Sequence, residues 1–223
     1  MPTGSRTASS TGPSPVRSLI AAALLLAACG SLEGAAPTPV ATISPTTAAR
    51  TLPAAEAQRL VSARVAATLD ALKRRDGAAL SAVAHPTRGV RFTPYPFVQV
   101  AKDVVLMRSE LTGAYRDTKA RTWGVSDGKG DPITLTFADY GARYVWSRDF
   151  LAATKTSYNK PIGTGNSVDN TAEAYPNAIL YEAYDPGPVP ADEPFRWQSL
   201  RLLFEDVGGS WYLVGVVHAE WTI

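Results

Sequence analysis

Residues 199–223, "SLRLLFEDVGGSWYLVGVVHAEWTI", decide the fold. Leu200 to Phe204 is a short apolar run that predicts a strand. "VGGS" at 207–210 then sets two glycines side by side, where a tight hairpin needs left-handed backbone. "WYLVGVVHAEWTI" predicts a long returning strand. In it Trp211, Leu213, Gly215 and Val217 alternate with Tyr212, Val214, Val216 and His218. Both sets are largely apolar, so this strand is expected to be central and covered, at least in part, on each face. "AILYEAYD" at 178–185 supplies a further strand.

Upstream the period changes. In "AAEAQRLVSARVAATLDALKRRDG" (54–77), Leu60, Val61, Val65, Leu69 and Leu72 recur at steps of three and four, one apolar stripe of a helix. Lys73, Arg74 and Arg75 complement the dipole at its end, and Gly77 supports a stop. Asp76 can cap a second short helix through Ala84, with Leu80 and Val83 facing inward. A strand near 89–93 should fail at Pro94, which has no N–H for a ladder. "AKDVVLMRSELTGAY" (101–115) predicts one or two helices with Val105, Leu106 and Leu111 buried. "WGVSDGKGDPITLT" reads as a glycine-turn loop leading into a short extended piece. Thr136 with Asp139 starts a capped helix carrying Phe137, Tyr140, Tyr144 and Val145. Residues 155–177 read as a long polar loop, a kind that is often functional. Helices first and strands concentrated toward the C-terminus predict an α+β fold, N-terminal helices packed on a curved antiparallel sheet.

The front of the chain has a different composition. Arg6 and Arg17 precede an unbroken apolar run, Leu19 to Ala28, with no acidic residue. That is the layout of a secretory signal peptide over 1–28, too short to span a membrane. Cys29, the one cysteine of the chain, follows directly. Residues 29–53 are rich in Ala, Pro, Thr, Ser and Gly and predict a flexible tether. A single domain is expected over 54–223. Removing Arg6 and Arg17 from the 22 basic residues leaves 20 against 20 acidic, so the mature chain is formally neutral. No basic block remains to bind nucleic acid.

Three resemblances follow from these residues. Leu26-Ala27-Ala28-Cys29 resembles the lipobox of bacterial lipoproteins, which implies cleavage before Cys29 and a diacylglyceryl group on its thiol. The implied location is the cell membrane or outer membrane, with the domain outside the cytoplasm and the membrane a partner through the lipid. The order of elements resembles the NTF2-like cone fold. "HPTRGVRFTPY", "WGVSDGKGDPITLTFADY", "GNSVDNTAEAYPN" and the 199–223 stretch resemble segments of a group of uncharacterised secreted or lipid-anchored bacterial proteins. That likeness spans most of residues 70–223 and carries no activity with it.

Candidate chemistry is sparse. His85 and His218 are the only histidines. With a nearby carboxylate, either suits a hydrolase or isomerase; the plainer roles are a helix cap and a satisfied backbone group. "DGKGD" (127–131) lacks the further acidic positions of a calcium loop and suits a surface turn. "GTGNSVDN" lacks the lysine of a phosphate cradle, and Asn166, Asp169 and Asn170 are expected to tie down the long loop. Five tryptophans suit core positions, or a groove where exposed. His85, Arg91, Tyr95, Trp123, Asp127 and His218 are the expected ligand-binding set, at the mouth of the sheet. No catalytic residue, metal ligand or cofactor is assigned. The expected function is non-catalytic binding of a small molecule, a glycan or an envelope protein.

Overall fold

The structure, a computed structural model, describes residues 51–188 and 195–222. The expected leader, Cys29 and most of the tether lie outside the described residues. The described residues belong to one compact unit.

Helix α1 (Ala54–Lys73) buries Val61, Val65, Leu69 and Leu72, four of the five stripe residues, and leaves Leu60 half-buried. Asp76 caps α2 (Gly77–Val83) by accepting the amide of Ala79 at 2.9 Å. Strand β1 (Val90–Thr93) ends where Pro94 requires. Residues 101–115 divide differently from expectation: Val105–Leu106 is a short strand, β2, and the helix α3 is Arg108–Gly113. Two β-branched or apolar residues beside β1 gain more from a ladder than from another helical turn. "WGVSDGKGDPITLT" is also more than a loop. It forms a hairpin of β3 (Arg121–Val125) and β4 (Pro132–Leu135), a separate two-stranded sheet.

Thr136 caps α4 (Phe137–Tyr140), accepting the Asp139 amide at 3.2 Å, and the chain continues as a π-turn over Gly141–Val145. The expected long loop contains β5 (Lys155–Tyr158) and α5 (Thr171–Ala174). We call residues 159–177 the strap. Strands β6 (Ile179–Asp185), β7 (Gln198–Val207) and β8 (Ser210–Glu220) complete a six-stranded sheet, ordered β2-β1-β8-β7-β6-β5. Its pairs are antiparallel except β1 with β8, which is parallel. The fold is therefore α+β with a mostly antiparallel sheet. Gly208 and Gly209, at φ +61° and +85°, make the two-residue turn between β7 and β8.

One feature of β8 departs from simple alternation. The register slips between Leu203 and Phe204, so that Gly215 and Leu213 face consecutive β7 residues and Val214 bulges. Leu213, Val216 and His218 consequently share the face under the helices, while Val214, Gly215 and Val217 turn to the strap. On the helical face Phe92 sits edge-on to Trp123, Phe137 and Tyr140, with centroids 6.0, 5.2 and 6.3 Å away. Each such pair adds about 0.5–1.5 kcal/mol to area burial.

Candidate functional site

Beyond Thr93 the chain leaves the sheet through "PYPFVQV", where Pro94 and Pro96 forbid ladder hydrogen bonds. A cleft of about 370 Å³ opens there, between residues 94–103, the β3 end and residues 167–168 of the strap. An adjoining hollow of about 270 Å³ shares Gln99, Asp103, Gly124 and Val125, and adds Lys102 and Thr122. Gly124 forms the wall at φ +150°, and a Cβ there would meet the Pro94 ring at 3.0 Å. The rim is apolar and unusually exposed: Phe97 and Val125 are 50% accessible and Val168 67%. Such exposure of adjoining large apolar groups is a mark of a binding surface.

Asp103 lines both hollows and is 8% exposed. Its Oδ2 accepts the Thr93 hydroxyl and the Gln99 amide, each at 2.9 Å. Burial pushes its carboxyl up from the ordinary range, while those two bonds and the charge of Arg91 pull the other way. Arg91 itself donates to the Asp103 main-chain oxygen at 3.2 Å, not to the carboxylate. Asn170 joins the cleft's two walls. Its Oδ1 accepts the Val98 amide at 2.7 Å and its Nδ2 donates to the Val98 carbonyl at 3.0 Å.

The strap is held from below by buried charge. Glu182, fully buried, accepts the amides of Ile162 (2.6 Å) and Gly163 (3.1 Å) and the Ser199 hydroxyl (2.5 Å). Arg201, 1% exposed, donates to Asp169 at 2.6 Å and to the Gly163 carbonyl at 2.8 Å. Asp169 also takes the amide and hydroxyl of Thr171 through Oδ1. Burial works to raise the Asp169 pKa, but Arg201 and Thr171 outweigh it and hold it below the usual range. Asn166 accepts the Thr222 hydroxyl at 3.0 Å. Asn166, Asp169 and Asn170 thus anchor the loop, Asn170 alone through backbone groups of a distant segment.

The six residues expected to form one site do not converge. Tyr95 and Asp127 line the cleft, and the Asp127 amide lies 3.4 Å from the Tyr95 hydroxyl that accepts it. Arg91 does not line the cleft and donates to the main-chain oxygen of Asp103. Trp123 is fully buried, stacked on Tyr140 at 4.1 Å, with its indole N–H donated to the Leu135 carbonyl at 2.9 Å. It is core because β3 turns that face onto α4. His85 lies elsewhere: its Nδ1 accepts the amides of Arg88 and Thr87, and its own amide donates to Leu213 at 2.7 Å. Burial lowers its pKa, opposed by Glu205.

His218 is five residues further along β8 than Leu213, roughly 15 Å at the rise of extended chain. The two histidines therefore share no site. Completely buried, His218 has both ring nitrogens without hydrogen-bond partners among the described residues. Its Nε2 lies 3.3 Å from Glu220 Oε2, outside hydrogen-bond geometry. Burial lowers its pKa, opposed by Glu220, so the imidazole is neutral at pH 7. This is the histidine–carboxylate proximity an enzyme needs, yet neither residue lines the cleft.

Sequence reasoning missed Asp103, Gln99 and the Phe97, Val125 and Val168 rim. Asp103 sat in a stretch read as helix, and only the apolar residues beside two prolines hinted at an open edge. Of the tryptophans, Trp123 and Trp197 are buried, Trp146 and Trp211 half-buried, and Trp221 is exposed against Phe195, 4.5 Å between centroids. They do not line one groove. Among the described residues no cluster of three or more His, Cys, Asp or Glu could hold a metal ion, and no helix is long and apolar enough to cross a membrane. No protein-family model, curated protein or solved structure matches the chain.

Proposed function

We propose that this chain is a lipid-anchored protein of the bacterial cell envelope whose cleft binds a small ligand with an apolar body, without transforming it. One observation carries the binding reading: a concave site of about 370 Å³, rimmed by exposed Phe97, Val125 and Val168 over the buried carboxylate of Asp103. Apolar walls with a few convergent polar groups are what small-molecule sites share. The anchor rests on Cys29 behind its apolar leader. The competing reading, a hydrolase or isomerase, has the His218–Glu220 proximity in its favour and the sealing of His218 against it.

A melting-temperature screen of the purified chain against small apolar molecules tests the cleft. A binder at a hundred times its dissociation constant adds about 2.7 kcal/mol of native stability. Val125→Trp, which fills the cleft from a half-exposed wall, should remove the shift. A flat screen overturns the small-ligand reading and leaves a glycan or an envelope protein as the partner. Metabolic labelling with a fatty-acid probe tests the anchor. Wild type should label and Cys29→Ala should not; equal labelling overturns it.

A further inference from the structure

The charges around the cleft are one-sided. Two carboxylates, Asp103 and Asp127, line the larger hollow, and among the described residues no cationic side chain does; Lys102 borders only the adjoining one. Asp103 is the informative member. A carboxylate over nine-tenths buried is ordinarily paired with a cation, because its desolvation otherwise goes uncompensated. Among the described residues none lies within ion-pair distance of its oxygens; Arg91 donates to the Asp103 main-chain carbonyl, and its charge offsets the burial only in part. Thr93 and Gln99 both donate, which favours the ionised form, and both donate to Oδ2. Oδ1 has no hydrogen-bond donor from the described residues. Asp103 is therefore fixed through Oδ2 at the cleft, with Oδ1 left open as an acceptor.

From this we infer that the occupant is a primary amine carried on an apolar body, its ammonium seated at Oδ1 of Asp103. The inference rests on the cleft being the binding site. A guanidinium is the poorer match, since its fork needs both carboxylate oxygens and Oδ2 is already doubly bonded. A quaternary ammonium has no N–H to give Oδ1. A primary ammonium is a compact charge with three donors: one meets Oδ1, and the hydroxyls of Ser126 and Ser167 on the same lining, already bonded to the Asp131 amide and the Thr222 hydroxyl, each keep one acceptor site for the others. The Tyr95 ring adds cation–π attraction on one side, and Phe97, Val125 and Val168 take the apolar body.

Titration calorimetry on the full chain with four matched probes tests this: phenethylamine, its N-trimethylated analogue, 2-phenylethanol and benzylacetone. Phenethylamine should bind at least tenfold tighter than each of the other three. Asp103→Asn should erase that margin while 2-phenylethanol binding persists, and Val125→Trp should weaken all four. Asp103→Asn can loosen the Gln99 turn, so the retained alcohol affinity is its control for folding. Equal affinities for amine and alcohol, both lost in Val125→Trp, would overturn the amine inference and leave the cleft reading standing. Tighter binding of benzylacetone would overturn it as well, since Asp103 would then be a protonated donor. Binding of none of the four would remove the cleft reading itself.

Discussion

The two faces of the six-stranded sheet are closed by different physics. Under the helices Phe92, Ile179, Leu200, Leu202, Phe204 and Val216 meet Leu72, Leu80 and a group of aromatic rings, and nearly every contact is apolar. Under the strap the apolar cluster is small, built on Val98, Tyr175, Leu203 and Val217, and beside it lie Glu182 and Arg201, both essentially without solvent. Helices carry their own backbone hydrogen bonds, so grease suffices to dock them. The strap, largely irregular, must have its amides and carbonyls satisfied from outside. Glu182 and Arg201 do this at Ile162 and Gly163. Where a covering segment lacks secondary structure, charge in the sheet beneath replaces ladder bonds.

Arg201→Leu is the harshest test of that contrast, since it keeps bulk and removes charge. Asp169, Glu182 (3.4 Å from the Arg201 Nε) and the Gly163 carbonyl would lose their cationic neighbour, at a cost of about 4 kcal/mol in urea unfolding. A loss under ~1 kcal/mol would mean that the strap, like the helices, is held by apolar contact. Adjacent leucines sharpen the comparison next. Leu202 faces the helices and Leu203 the strap, both with no exposure. Leu202→Ala should cost about 3 kcal/mol and Leu203→Ala about 2, because an irregular cover collapses more readily into a cavity. Equal costs in denaturant titration would say that both covers are equally rigid.

The margin of the helical face carries its own charges, and acid should find them. Burial alone would raise the Glu220 pKa, but its close partners outweigh it and hold it well below the usual carboxylate range. With His218 neutral, the Arg143 fork at 2.6 and 3.2 Å supplies the charge. A depressed carboxylate stabilises above its unfolded pKa, so its contribution is whole at pH 6 and is lost as pH falls below 4.5. Glu220→Gln should flatten that limb by on the order of 2 kcal/mol. The lowered His218 pKa has the same sign at higher pH. Below about 6.5 the unfolded chain gains a proton that the buried ring refuses, and stability should fall between pH 7 and 5. A melting temperature flat over that range would show the ring protonated in the fold. The smallest effect is expected at Lys73–Asp149, 3.0 Å apart and about half exposed on each side. Lys73→Ala should cost about 0.5 kcal/mol, within reach of added salt.

The candidate site was only half legible. Tyr95 and Asp127 stand at element ends, where polar and aromatic residues tend to reach solvent, and both line the cleft. Trp123 stood at the same kind of position and is core, because a β3–β4 hairpin that the glycines disguised as loop folds its ring against Tyr140. Asp103 has nothing beside it in sequence to mark it; Thr93 and Gln99 become its donors only when β1 ends at Pro94 and the chain doubles back.

By itself the sequence determined the elements whose signal is local and periodic. The α1 stripe, the Asp76 and Thr136 caps, the stop at Pro94 and the Gly208-Gly209 hairpin all act within about one turn or one strand. Those signals sufficed for the α+β class, with strands late. Only the tertiary structure decided the parallel seating of β1 on β8, the Val214 bulge that reassigns the face of β8, and the encounter of Arg201 with Asp169. The bulge lies within a hairpin whose partners are about ten residues apart, but the other two join segments about 30 and more than 120 residues apart, and the energy of all three comes from burial and mutual neutralisation that no local pattern encodes.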